Sequence, residues 1–212
     1  MPVDINIREP PIYQREQYEK GGIGRIYWDY RDRIALSYLD DQDFRVADIG
    51  CGEGITFEKL VRLFPHKDCL GMDGLIENLL VCAGYRLKIV GGDVFHLPFQ
   101  SNSIDCVLFL EVIEHLLTPE RAIEEIHRVI RPEGKLIMLF PNDRCFKIAR
   151  LLTLKLKEAS YNPGHVRQWT PKDIRRFLTL NGFKIIARKN IPFFVWQLSL
   201  HHLVVCEKEP SG

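Results

Sequence analysis

Residues 46–54 read Val-Ala-Asp-Ile-Gly-Cys-Gly-Glu-Gly and lead directly into Ile55-Thr56-Phe57-Glu58-Lys59-Leu60. A short apolar run ends on three glycines, and a helical pattern begins immediately after them. Strand, glycine turn and helix in this order bring backbone close to a nucleotide-like ligand, because the glycines make the turn and remove side chains from the ligand's place. The spacing is GxGxG; the position that would complete GxGxxG is Ile55. Asp48 stands two residues before the first glycine and Glu53 lies within the loop. A pyrophosphate would meet repulsion there, in opposition to the helix N-terminal dipole that favours it. The loop therefore argues against a nicotinamide or flavin enzyme and for a cationic ligand.

Two further acids follow at the ends of the next strand-like runs: Asp73 in Leu70-Gly71-Met72-Asp73, and Asp93 in Gly91-Gly92-Asp93. An acid after the second strand is placed to accept both hydroxyls of a ribose. Asp93 can accept from an adenine amino group while the backbone N–H of Val94 meets a ring nitrogen. An aspartate after a strand also caps a following helix, so each acid alone is ambiguous. The three together, in register with a glycine loop, suit S-adenosylmethionine, whose sulfonium and α-ammonium are cationic and which carries no phosphate.

Outward from the loop, strand-like and helix-like segments alternate. Strands are expected at 45–49, 69–73, 88–91, 103–110, 135–140, 183–189 and 202–207, each apolar on both faces; helices are expected at 25–39, 56–63, 75–82, 119–130 and 171–180. Pro119 and Pro171 each follow a threonine, as in a capped helix start, and Asn181-Gly182 suits a helix end. The alternation predicts a parallel, doubly wound α/β sheet with helices on both faces. The connection between the last two strands is too short for a helical crossover, so the final strand should run antiparallel to its neighbour.

The 212 residues carry 29 Lys+Arg against 28 Asp+Glu, a formal charge of +1, which offers no global attraction to nucleic acid or to an acidic membrane. The six cysteines lack CxxC spacing and read as small core residues of a reducing compartment. With no leader-like or membrane-spanning run, a cytoplasmic protein is expected. One domain is expected: an N-terminal arm and helix (1–43), a cofactor-binding half (44–142), an insert or lid (143–170), and a C-terminal helix with a strand pair (171–212).

The series VADIGCGEG, GMDG, GGDVFHLPFQSNSIDCVLFLEVIEHL and HRVIRPEGKLIMLFPN, spanning 46–142, resembles the ordered motifs of class I S-adenosylmethionine-dependent methyltransferases of the type 11 kind. The resemblance implies a Rossmann-like seven-stranded, mostly parallel sheet with the last strand antiparallel. It implies Gly50, Cys51, Gly52 and Gly54 against the cofactor, with Asp48 beside them, Asp73 at the ribose, Asp93 and Val94 at the adenine, and Glu111 at the methionine end. S-adenosylhomocysteine would be the product.

Beyond the cofactor, Glu111-Val112-Ile113-Glu114-His115 offers two carboxylates and an imidazole on one helical turn. His165 follows the fifth strand, so His115 and His165 are the candidate bases for an acceptor hydroxyl or amine. A similar ExxEH with a later histidine holds a divalent cation in ubiquinone-pathway and small-RNA 2′-O-methyltransferases; mapped here, the ligands would be Glu111, Glu114, His115 and His165. Many relatives carry ExxEH without a metal. The expected activity is methyl transfer to O or N of a small-molecule acceptor. The alternatives are metal-assisted O-methylation of RNA or a quinone precursor, and a non-catalytic cofactor-binding module. Residues 144–158 have an amphipathic pattern that fits a packed helix, a lid or a membrane contact. An aromatic arm and helix around Tyr13, Tyr18 and Trp28 is placed to cover the cofactor. The acceptor's identity and the oligomeric state leave no signal.

Overall fold

A computed structural model of the chain describes residues 14–145 and 165–209. Strands β1 (Arg45–Ile49), β2 (Asp68–Asp73), β3 (Ile89–Gly91), β4 (Ile104–Leu110) and β5 (Ile130–Pro141) are mutually parallel, in the spatial order β3-β2-β1-β4-β5. Beyond β5 the order continues β7-β6, where β6 is Phe183–Ile191 and β7 is His201–Lys208. β7 runs antiparallel to both neighbours, with Leu136 opposite Cys206 on one side and Asn190 opposite His202 on the other. The short link between β6 and β7 holds only a 3₁₀ turn, Trp196–Leu198, so the chain reverses instead of crossing over.

The helices are α1 (Gln14–Glu19), α2 (Gly22–Leu36), α3 (Ile55–Leu63), α4 (Ile76–Gly84), α5 (Pro119–Val129) and α6 (Pro171–Leu180). Side-chain alternation along the strands sorts the core into two clusters. Ala47, Val107, Phe109, Leu136 and Met138 face α5 and α6, meeting Ile123, Ile126, Ile174 and Leu178. Val46, Cys106, Leu108, Ile137 and Leu139 face the other way, toward Leu36 of α2 and Phe57 and Leu60 of α3. These two apolar layers hold the sheet between helices and leave the carboxyl ends of β1 to β4 at one edge, where ligands bind in open α/β sheets.

Four expectations need correction. The arm before residue 20 forms α1, and α2 starts three residues earlier than expected and ends three earlier. β5 begins at Ile130, not 135: Arg131-Pro132-Glu133-Gly134 makes a detour inside the strand, marked by a register shift opposite Ile104 and Cys106. Its proline and glycine look like a chain break in sequence, yet Glu133 takes φ 64° and Gly134 packs where a Cβ would sit 2.8 Å from the carbonyl oxygen of Arg131. β6 is not apolar on both faces; as the edge strand it alternates buried and exposed residues. Of the two expected threonine caps, Thr170 accepts from the Asp173 N–H at 3.2 Å, whereas Thr118 makes no side-chain cap bond. Among the described residues no helix is long and apolar enough to cross a membrane. Tyr13 and the segment from 146 to 158 lie outside the described residues.

Candidate functional site

The loop after β1 is pinned to the end of β2: the N–H groups of Gly50 and Cys51 both donate to Met72 O, at 2.8 and 3.0 Å. Gly50, Gly52 and Gly54 all have positive φ, a conformation that side chains with a Cβ disfavour. Gly50 faces a second constraint, because a Cβ there would meet Val112 Cγ2 at 2.4 Å. The loop floors a cavity of about 840 Å³ lined by Asp48, Gly50, Cys51 and Gly52, by Asp73, Asp93 and Val94 at the next strand ends, and by Glu111 and His115 after β4. Trp28 and Arg31 of α2 close one side. Gly54 lies behind the lining as the residue before α3, where a Cβ would meet Leu87 Cδ1 at 2.7 Å.

The acids differ in what they already do. Asp73, buried, accepts from the N–H groups of Gly52 (2.8 Å) and Leu75 (2.9 Å) and from the Asn78 amide (3.1 Å). It ties loop to α4 and keeps lone-pair capacity toward the cavity. Asp93 is half-exposed and closes a local turn through the Phe95 N–H at 2.9 Å. Glu53 is spent elsewhere: its carboxylate accepts from the N–H groups of Gln14 (2.9 Å) and Arg15 (2.6 Å). Arg15 in turn donates to Glu53 O and to Glu58, and its guanidinium stacks 3.7 Å over Tyr85. Glu53 thus clamps α1 to the loop.

Asp48 is fully buried, and burial, with Asp32 and Asp73 nearby, pushes its carboxyl up to about 7. The folded state then holds the proton more tightly than the unfolded chain, so stability falls as pH rises from the ordinary carboxylate range through about 7. Urea midpoints measured between pH 5 and 8 should show this fall in the wild type and lose it in Asp48→Asn. Equal slopes in the two proteins would refute the assignment.

Glu111 departs from the helical-turn expectation. It sits at φ 58°, outside the 3₁₀ turn Ile113–His115, so its carboxylate swings away from Glu114 and His115. One oxygen accepts from Arg31 Nη1 at 2.9 Å and the other from His201 Nε2. Against the cost of burial, the Arg31 guanidinium and His201 hold this carboxyl well below the usual range. Burial lowers His201, so the ring is neutral; Nε2–H donates to Glu111 and Nδ1 accepts from the Tyr27 hydroxyl at 2.6 Å. Burial and Glu111 raise Tyr27, which keeps that hydroxyl protonated. Arg31 also donates to Asp32 at 2.9 and 2.8 Å, and Lys59 completes the group at 2.7 Å from Asp32.

Glu114, His115 and His165 do come together, with donor atoms within 4.8 Å of one another; Glu111 is not part of that group. The two imidazoles meet edge to face with centroids 4.8 Å apart, and His165 Nδ1 pairs with Asp143 at 2.7 Å. Backbone N–H groups of Val166 and Arg167 donate to Glu114 O, fixing this segment on the turn. His115 reaches the cavity and His165 stands behind it. Arg31, Tyr27 and His201 were not identifiable as site residues from sequence. Arg31 and Asp32 look like ordinary helix-surface charges, and His201 sits just before the expected last strand.

A methyltransferase domain model matches residues 47–138. An uncharacterized protein of Methanocaldococcus jannaschii is 30% identical over 160 residues, covering 76% of this chain and 64% of that protein. A protein of Mycolicibacterium smegmatis named as a probable S-adenosylmethionine-dependent methyltransferase is 27% identical over 161 residues, covering 75% and 60%. The chain therefore spans about three fifths of the length of these curated relatives. The crystal structure of a S-adenosylmethionine-dependent methyltransferase from Thermotoga maritima matches with TM-score 0.70 at 17% identity, covering 92% of this chain and 96% of that one. That likeness is one of fold.

Proposed function

We propose that the chain is a class I S-adenosylmethionine-dependent methyltransferase, in keeping with the matching domain model and the named relative, and that it transfers the cofactor's methyl group to an oxygen or nitrogen of a small-molecule acceptor. The carrying observation is the convergence of Asp48, Asp73 and Asp93 on one cavity floored by the glycine loop. In this reading Gly50, Cys51 and Gly52 approach the cofactor, Asp73 takes the ribose, and Asp93 with Val94 takes the adenine. Gly54 supports the loop from behind. Asp48 and Glu111 face the methionine end, where the ammonium and sulfonium bring positive charge. Arg31, buried beside Glu111 on the cavity wall, is placed to meet the methionine carboxylate.

Methyl transfer from a sulfonium is an in-line displacement: the acceptor atom bonds the methyl as the C–S bond breaks, leaving the neutral thioether S-adenosylhomocysteine. Alignment and exclusion of water supply most of the acceleration, with positioning worth about 7 kcal/mol or more. An acceptor hydroxyl or ammonium must also lose a proton. His115 takes it in this proposal, with His165 behind it oriented by Asp143.

A second reading has its own observation, the Glu114, His115 and His165 group. Two imidazoles and one carboxylate fit Mn²⁺, Co²⁺ or Zn²⁺ better than Mg²⁺, which prefers an all-oxygen shell. Such an ion would polarise an acceptor hydroxyl, as an O-methyltransferase acting on RNA or a quinone precursor requires. Isothermal titration with S-adenosylhomocysteine, followed by an acceptor screen with methyl-labelled S-adenosylmethionine with and without each metal, separates the readings. Cofactor binding with label transfer is the expected outcome, and His115→Ala should cut kcat by about 10² or more while leaving cofactor affinity nearly unchanged. Binding without transfer to any acceptor would indicate a non-catalytic module. No binding would defeat the proposal, and indifference to every metal would end the second reading.

A further inference from the structure

Two cysteines meet underneath the glycine loop. Cys51 belongs to the loop, is half-buried and lines the cavity; Cys82 comes from α4 and is fully buried. Both sulfurs lie within hydrogen-bond range of one carbonyl, Gly52 O, at 3.8 and 3.4 Å, which brings the two thiols to the same point of the loop. The other four cysteines are buried in the core, and burial raises each of their thiols, Cys69 to about 11 and Cys206 to about 12. Cys82 is instead lowered, chiefly by Cys51 and also by nearby Arg15, while Cys82 and burial raise Cys51. The open side of the pair, at Cys51, faces the cavity.

We infer that Cys51 and Cys82 form an oxidisable dithiol site that a low-molecular-mass disulfide converts to an intrachain disulfide, closing the cavity to its cofactor. Cys51 sulfur attacks one sulfur of the reagent, the S–S bond of the reagent breaks, and the Cys51 proton goes to the departing sulfur, which leaves as the first thiol. Cys82 sulfur then attacks the Cys51 sulfur of the mixed disulfide, forming the Cys51–Cys82 bond, and its proton goes to the departing sulfur, released as the second thiol. Two protein thiols are oxidised and one reagent disulfide is reduced to two thiols. An S–S bond near 2.05 Å draws the sulfurs closer than any non-bonded contact allows. The give must come from Cys51, which sits between two positive-φ glycines, because Cys82 is fixed on a helix. The backbone that displacement carries is the backbone facing the cofactor, so oxidation and cofactor binding oppose each other.

This inference rests on the reading that the loop holds S-adenosylmethionine. The test incubates the full, reduced chain with oxidised glutathione, maps disulfides by mass spectrometry of unreduced digests, and titrates S-adenosylhomocysteine. The expected result is a Cys51–Cys82 linked peptide, affinity weakened more than about tenfold, and recovery with dithiothreitol. Prior saturation with S-adenosylhomocysteine should slow the linkage, and Cys82→Ser or Cys82→Ala should bind normally when reduced and give no linked peptide. Absence of the linkage, or a linked protein that binds as well as the reduced one, would overturn the inference. Failure of the reduced wild type to bind would instead defeat the underlying cofactor reading.

Discussion

Gly50→Ala is expected to remove measurable cofactor binding and to lower stability by about 2 kcal/mol or more, through two separable costs. The first is backbone: φ 76° at Gly50 places an alanine in the left-handed region, a strain of about 1–3 kcal/mol. The second is steric, since the new Cβ would stand 2.4 Å from Val112 Cγ2. Val112 immediately precedes the 3₁₀ turn that carries Glu114 and His115, so relief of the clash displaces the proposed acceptor side as well as the cofactor loop. Val112→Ala removes the steric part only. Urea unfolding and S-adenosylhomocysteine titration of both single variants and the double should therefore show favourable coupling of about 1 kcal/mol. A Gly50→Ala protein that binds like the wild type would show that the loop does not face the cofactor. Strict additivity would remove the Val112 contact from the account.

Arg31→Ala is expected to cost about 3 kcal/mol of stability, because it strips the guanidinium from a carboxylate that burial penalises. Asp32 keeps Lys59 at 2.7 Å, but Glu111 is left with a neutral His201. Glu111 opens partly onto the cavity, with 30% of its side chain exposed, which places the cost at the low end of the range for broken buried pairs. The sign with pH is fixed by the depressed Glu111 carboxyl. The advantage of wild type over variant is complete above the ordinary carboxylate range and shrinks as pH falls through the folded-state value. Denaturant midpoints of the two proteins from pH 7 downward measure it, and Arg31→Lys should recover part of the stability. A wild-type advantage that stays constant with falling pH would exclude the Glu111 pair as its source. Loss of cofactor affinity beyond the stability change would support Arg31 at the methionine carboxylate.

What the sequence made legible was local. The run from Val46 to Leu60 specifies strand, turn and helix through periodicity and glycines, all within a few residues, and Asp73 and Asp93 follow at strand ends whose register the alternating pattern fixes. The short link before β7 disclosed its direction but not its insertion between β5 and β6, because strand order depends on pairing at long range. Arg131-Pro132-Glu133-Gly134 carries turn residues that tertiary packing absorbs into β5. The reach of Glu111 was misread for a backbone reason: ExxEH suggests a shared helical face, and a residue at positive φ leaves it. Arg31, His201 and Tyr27 were hidden because their significance lies in partners far along the chain, and an isolated arginine on an amphipathic helix has no mark of burial.

The network around Glu111 also bears on biosynthesis. Tyr27 and His201, which it joins, are 174 positions apart, and His201 and Glu111 are 90 apart. Bringing together groups so far apart in the chain costs loop-closure entropy, which slows their pairing. On the ribosome, β1 to β5 and their helices can assemble while β7 is still being made, and at that stage the cavity wall holds Glu111 with Arg31 alone. Translation through β7 is what supplies the imidazole, so nascent chains halted before His201 should be compact yet carry an unfinished charge arrangement.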